Sequence, residues 1–411
     1  MPSPSRKKND DVDELIINDL GVNKDKKHQE STFVKNINIK HISIIVLIII
    51  LIATLLYVIN FVNFNSTALI WRVSLTRGSD NVNNKSVSYE SFRNGLMRIS
   101  NDGITYIDDT GHVNWTVAYN MKDPIYVTTK KYFSVADRSG NNFYIFDTSG
   151  LVGENTTTNA IEKISLSDDG VIYILQSDEN SSYINVFRYN GVSIDLSIKT
   201  NLTEDGMPVD ISTSKSGEEL VLSCVVLQDD NIFSKATYYN FADEGKNANS
   251  KRIVGEIIDE LDGKFLARVH FFNDDRSCLL YDGGIYFVST IDKASPKITN
   301  RVEFNERILS LSYNDKYVCL MSDNDKLIVY DETGTTICDR KIDYEYDKFY
   351  LSDNYIIFLY NHRVMIYDIR GRMIFDKELS NDIQFVAKRK QFIFTELMLG
   401  LVDSVECIRF Y

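Results

Sequence analysis

Two hydrophobic patterns divide the chain. From Ile42 to Phe64 the run ISIIVLIIILIATLLYVINFVNF holds 23 residues without a charge. At about 1.5 Å per residue this predicts a helix of roughly 34 Å, enough to cross a hydrocarbon core of about 30 Å. A buried globular helix of that length would carry a polar stripe, and this one carries none. The rival reading is a secretory signal. The 41 residues ahead of the run, its length, and the lack of a small-residue cleavage pattern after it argue for a single transmembrane helix over 42–64.

Beyond the run, short apolar stretches alternate with polar turns, and the pattern repeats. Four stretches end in Asp, two further residues, then Gly: TYIDDTG at Gly111, YIFDTSG at Gly150, LIVYDETG at Gly334 and MIYDIRG at Gly371. VFRYNG at Gly191 is the same unit with Arg188 in place of Asp. An Asp side chain bonds the backbone just ahead of it, and Gly supplies the positive φ that a tight turn needs. Asp108, Asp147, Arg188, Asp292, Asp331 and Asp368 open these turns at steps of 39, 41, 104, 39 and 37 residues. The long step hides one degenerate unit, marked by FADEG at Gly245. Within a unit four strand-like runs follow one another, as in Ile308–Tyr313, Tyr317–Ser322, Lys326–Asp331 and 335–342. Four strands in about 40 residues describe a propeller blade.

The fold class expected is therefore an all-β, eight-bladed β-propeller behind a single transmembrane helix, with seven blades as the alternative if 206–254 forms no full blade. The last repeat, from Ile383 to Tyr411, supplies only three strands. An orphan strand just after the membrane run, ALIWRVSL at 68–75, resembles the fourth strand of the first unit, HVNWTVAY, each carrying Trp-x-Val. The domains expected are a disordered cytoplasmic tail over 1–41, the span over 42–64, and an extracytoplasmic propeller over 65–411 in which 68–75 closes the last blade.

The first unit, YIDDTGHVNW at 106–115, resembles the repeat of the quinoprotein-type (PQQ-like) eight-bladed propellers, in which a Trp four residues after the Gly docks neighbouring blades. Four residues past the other glycines stand Glu154, Asp195, Cys338 and Phe375. The whole layout is also similar to an uncharacterised family of membrane-anchored propellers from low-GC Gram-positive bacteria, and an Asn-, Ile-, Lys- and Tyr-rich composition suits such a genome. Those resemblances imply the fold and a place in the cell envelope. The quinone chemistry of the first family is not expected, because its adjacent cysteine pair is missing and its calcium ligands match no motif here.

Charge sets the topology. The tail carries eight basic residues, and the first basic residue after the span is Arg72, so the amino terminus is expected in the cytosol. The chain has net charge −13, of which residues 42–411 hold −14, which excludes a nucleic-acid partner. In the tail, Asp13 to Leu20 (DELIINDL) offers hydrophobes at helical spacing, either a docking motif or incidental.

Chemistry is sparse. Only His112, His270 and His362 lie beyond the span, with no metal-ligand spacing, and neither a nucleophile elbow nor a phosphate loop occurs. Asp323-Asn324-Asp325 lacks the glycine and distal Glu of a calcium loop. No cofactor, metal or catalytic residue is assigned. Cys224, Cys278 and Cys319 sit inside apolar central strands, so the five cysteines read as buried small hydrophobes.

What remains is a surface. The loops joining the second and third strands gather on one rim of a propeller, and here they carry Asp137 and Arg138, Asp178 and Glu179, Asp229 and Asp230, Asp282, Asp323 and Asp325, then His362 and Arg363. An acidic rim suits a basic partner, although Asp and Asn are also what hairpins use. The function expected is a non-catalytic binding or scaffold module with an envelope protein as partner. The alternative is an enzyme on envelope glycan with carboxylates at the channel mouth.

Overall fold

The computed structural model describes residues 39–61, 67–75, 87–201, 205–228, 231–342, 344–389 and 396–410. The segment 13–20 and residues Asp229 and Asp230 lie outside them. The chain divides into two compact units, 1–63 and 64–411.

In the first unit, α1 runs from Ile39 to Phe61, three residues earlier at each end than the apolar run suggested. Its side chains are described over 43–55, and every large hydrophobe there, from Ile44 through Ile52 to Leu55, is exposed. Among the described residues no helix is long and apolar enough to cross a membrane.

The second unit is an eight-bladed β-propeller: eight four-stranded antiparallel sheets, seven of them simple meanders. Those seven blades cover 88–118, 124–156, 160–201, 207–257, 266–303, 308–341 and 348–378. The eighth takes three strands from 383–410 and its outermost strand, Thr67–Ser74, from the other end of the chain. Thr67 pairs with Phe410 and Ser74 with Ser404, so the ring is closed by hydrogen bonds between its two ends. Blade 4, over 207–257, is complete, which disposes of the seven-bladed alternative.

First strands of neighbouring blades contact one another around the axis, while fourth strands alternate between half-buried and exposed. The second and third strands are nearly continuous apolar runs because sheets cover both of their faces. Hydrophobic clusters straddle all eight interfaces, such as Phe92, Ile104 and Tyr106 against Phe133 and Phe146, or Leu96 and Ile107 against Met398 and Val405. The five cysteines are free and buried within this packing.

The repeated turns work as their residues require. Oδ1 of Asp108, Asp147, Asp331 and Asp368 accepts the N–H two residues on, at 2.7–3.0 Å, and Gly111, Gly150, Gly334 and Gly371 all have positive φ. FADEG does not form such a turn. A short helix, α2 (Asp243–Ala248), replaces it, with Asn240 accepting the N–H groups of Ala242 and Gly245. Gly245 is needed there because a Cβ would strike the Asn240 carbonyl at 1.7 Å.

The turn glycines are also sockets for the preceding blade. Trp71 covers Gly111, and Trp115 stacks on Phe146 at 5.2 Å while its indole N–H donates to Thr148. Where tryptophan is missing, other side chains occupy the socket. The Cys338 sulfur lies over Gly371, Arg340 donates to the Gly371 carbonyl at 2.7 Å, and Asn300 donates to the Gly334 carbonyl at 3.2 Å.

A substitution test follows from this packing. At Gly111, φ is +84° and a Cβ would lie 2.6 Å from Trp71, whereas Gly263, at φ +66°, has nothing within 4 Å. Gly111→Val is expected to cost about 2 kcal/mol or more and Gly263→Ala about 1, read as the difference between their thermal unfolding curves.

Candidate functional site

Each blade presents its 2–3 loop on the rim that also carries the blade-to-blade connections, and Asp137, Asp178 and Asp282 there hold backbone in place. Asp137 is turned inward: its Oδ1 accepts the N–H groups of Lys122 and Asp123 at 2.9 and 3.0 Å. Arg138 bridges to Asp123 at 2.6 Å, and that carboxylate holds its guanidinium pKa up. Asp178 accepts from Asn180 and Ser181 at 2.9 and 2.8 Å, and these N–H groups hold its carboxyl below the usual range. Asp282 accepts the Phe265 N–H at 3.2 Å. Arg363 makes a fork on Asp376, both arms at 2.6 Å, and lies over the Tyr344 ring. His362 Nδ1 stands 3.3 Å from Asp382 without hydrogen-bond alignment.

These residues are spread around the ring. Asp323 and Asp325 share a cleft, an open hollow of about 410 Å³ with Glu306, Asn324, Lys326 and Lys341. Lys326 already bridges there to Asp339 at 3.0 Å, and Asp325 occupies the left-handed region at φ 59°. Among the described residues no group of three or more His, Cys, Asp or Glu is placed to hold a metal ion.

The channel contains charged groups that sequence reasoning passed over. Glu90, on the first strand of blade 1, is partly open to the lumen yet walled by protein, with Tyr126 of blade 2 and Tyr350 of blade 7 close by. Burial pushes its carboxyl up to about 7, against the N–H of Ser91 at 3.0 Å, which favours the charged form. Asp210 of blade 4 takes Lys163 of blade 3 at 3.2 Å and the Val269 N–H of blade 5 at 3.1 Å; burial still raises its pKa. Lys348 of blade 7 donates to Gln384 of blade 8, and burial lowers its pKa. The only signal in the sequence was a charged residue within a first strand, which also reads as an ordinary solvent-facing position.

On the opposite rim, ion pairs tie blades 4 to 6. Lys215 reaches Asp315, and Lys293 reaches Glu219 at 2.8 Å and Asp275 at 3.3 Å. Burial lifts Glu219 to about 7 in spite of the lysine. Beside this network His270 bonds the Asn314 carbonyl at 3.1 Å, and burial, with Lys215 adding, pushes its imidazole down to about 4. A histidine held below its ordinary 6.5 contributes stability that is lost as pH falls from 6.5 toward 4. His270→Gln, measured by thermal unfolding at pH 7 and pH 4.5, is expected to spare about 2 kcal/mol of the wild-type loss on acidification.

The Family of unknown function (DUF5711) matches residues 66–410. Nothing among curated proteins matches the sequence. Among solved structures, Sqt1 of Saccharomyces cerevisiae superposes with a TM-score of 0.52 at 10% identity, over 84% of this chain and 98% of that one. The computationally designed Ika8 protein gives 0.50 at 10% identity, over 80% and 97%. BamB from Moraxella catarrhalis gives 0.49 at 11% identity, over 84% and 100%. At such identities the likeness to Sqt1 and the designed protein shows the fold alone.

Proposed function

This chain belongs to the DUF5711 family, and on that premise we propose that it is a membrane-anchored binding module whose propeller holds another envelope protein outside the cell. The observation that carries the reading is α1, whose large hydrophobes from Ile44 to Leu55 are exposed on all sides of the helix. An apolar surface of that kind needs lipid or protein around it. The uncharged run at 42–64, 23 residues at about 1.5 Å each, has the length a bilayer span would need. Basic residues ahead of the run favour a cytosolic amino terminus and an extracytoplasmic propeller. On the propeller itself, Asp323 and Asp325 of the 2–3 rim are exposed beside an open cleft, where a partner could meet them.

All five native cysteines are buried, so a single exposed thiol reports sidedness. Lys316→Cys, at an exposed turn position, is expected to react with a membrane-impermeant maleimide in intact cells. Labelling only after lysis would overturn the orientation.

A second reading, an enzyme acting on envelope glycan, draws on Glu90, whose near-neutral carboxyl suits a general acid. It needs a second carboxylate about 5–10 Å away. Asp210, the other channel carboxylate described above, stands three blades round the ring and is already bonded to Lys163 and Val269.

A further inference from the structure

The closing strand of the eighth blade fixes the rim by which the chain enters the propeller. Thr67 pairs with Phe410, at the far end of the third strand Ser404–Phe410. Third strands start from the 2–3 loops, so Thr67 stands on the opposite rim, among the 1–2 and 3–4 turns. The uncharged run ends at Phe64, three residues earlier, and an extended chain covers that step in at most about 11 Å. Strands of about six residues set the two rims about 20 Å apart.

The rim of entry carries apolar side chains at one recurring place, the start of the fourth strand. Met373 in blade 7, Leu69 in blade 8, Val113 in blade 1, Leu151 in blade 2 and Val192 in blade 3 are all exposed there. These five blades are consecutive and include the one the chain enters; Ile291 of blade 5 is exposed on the same rim, across the ring. Tyr132, from the 1–2 turn of blade 2, stacks at 5.1 Å on Tyr189, from the 3–4 turn of blade 3. Charges beside them are compensated in place. Lys130 bridges to Asp168 at 3.3 Å, Lys131 to Asp169 at 3.0 Å and Arg372 to Asp368 at 2.6 Å.

We propose that this rim rests on the lipid bilayer, with the turns of blades 7, 8, 1, 2 and 3 seated in the headgroup layer and the 2–3 rim held away from the membrane. The length of the tether selects lipid as the occupant. A run held in the bilayer keeps Thr67 within about 11 Å of where it emerges, and turning the 2–3 rim to the same surface would need about twice that reach. Isolated aliphatic side chains beside tyrosines and paired lysines suit a layer that takes up both apolar bodies and polar tips. Exposed hydrophobes on the other rim, Leu309 among them, lie on the face left open to a protein partner. The proposal rests on the membrane-anchor reading and adds which face of the propeller a partner reaches.

The test uses the full chain in phosphatidylcholine vesicles holding a minority of phosphatidylglycerol and a lipid with a nitroxide on its headgroup. All five native cysteines are buried, so Leu151→Cys, Val192→Cys and Leu309→Cys each place a fluorophore at one exposed site. Leu309, near the start of the first strand of blade 6 on the 2–3 rim, is 56% exposed against 55% for Val192, so the two differ in rim and not in access. Quenching by the nitroxide lipid is expected to be at least about threefold stronger at Leu151 and Val192 than at Leu309, given rims about 20 Å apart. Equal quenching at the three sites, or stronger quenching at Leu309, would overturn the rim assignment while leaving the anchor in place. Alkaline carbonate extraction of the same vesicles judges the anchor separately: release of the protein would overturn that reading and the seated rim with it.

Discussion

Glu396→Ala is expected to cost the propeller about 3–5 kcal/mol, lowering the thermal unfolding midpoint by about 5 °C or more. Glu396 is fully buried in the eighth blade, between Arg389 on the first strand and Arg409 on the third. Arg389 donates to Oε2 at 2.6 Å, and Arg409 donates to Oε1 through two nitrogens at 2.8 and 2.6 Å. Arg389 also reaches Asp109 of blade 1 at 3.5 Å, so the cluster lies where the ring closes. Removing the carboxylate leaves the Arg389 and Arg409 guanidinium groups facing each other across the place where it was buried, which is why losing the shared acid costs more than the intact cluster contributes. Replacing all three with Leu and Met should restore most of the loss. Equal destabilisation by the single and triple variants would show that cavity formation, not uncompensated charge, sets the cost.

Glu90→Gln is expected to act in the opposite direction, with a gain that develops as pH rises above about 4.5. The Glu90 carboxyl, ordinarily at 4.5, is pushed up to about 7 by burial. A carboxyl raised on folding contributes stability that is fully present below pH 4.5 and is lost as pH rises through 7. At pH 8 the native state therefore holds a poorly solvated charge. Glutamine keeps the acceptor for the Ser91 N–H and removes that charge. Allowing for water in the lumen, the variant should be about 2 kcal/mol more stable than wild type at pH 8 and equal to it at pH 4. Thermal unfolding at the two pH values measures the difference. A gain of the same size at both would assign the effect to packing.

The eight-bladed fold was legible because its turns are local chemistry. Asp108, Asp147, Asp331 and Asp368 use their own side chains to fix the next two residues, so the same letters recur wherever the turn does. Blade 4 blurred the count because α2 took the place of its turn, and Gly245 serves a close approach to Asn240 instead of a positive φ. Four residues past the other turn glycines the sequence holds no tryptophan, and that leaves open what fills the blade-to-blade sockets. In fact Cys338 and Asn300 fill them, because the socket demands an atom above a glycine and no particular side chain.

Function was far less legible. The acidic rim could be listed as Asp137, Asp178 and Asp282, but whether an Asp side chain turns inward to two backbone N–H groups, as Asp137 does, depends on a connection 14 residues away. The channel groups Glu90, Lys163 and Asp210 were hidden for a related reason. A polar residue on a first strand is set between neighbouring blades, as Asp210 is, and in sequence that looks the same as facing solvent.

The most direct test is to crosslink the full-length tagged protein in intact cells of its native host, with the α1 anchor lacking the propeller as control. The account predicts a stoichiometric protein partner that is lost with the propeller. Recovery of no protein above the anchor control would contradict it.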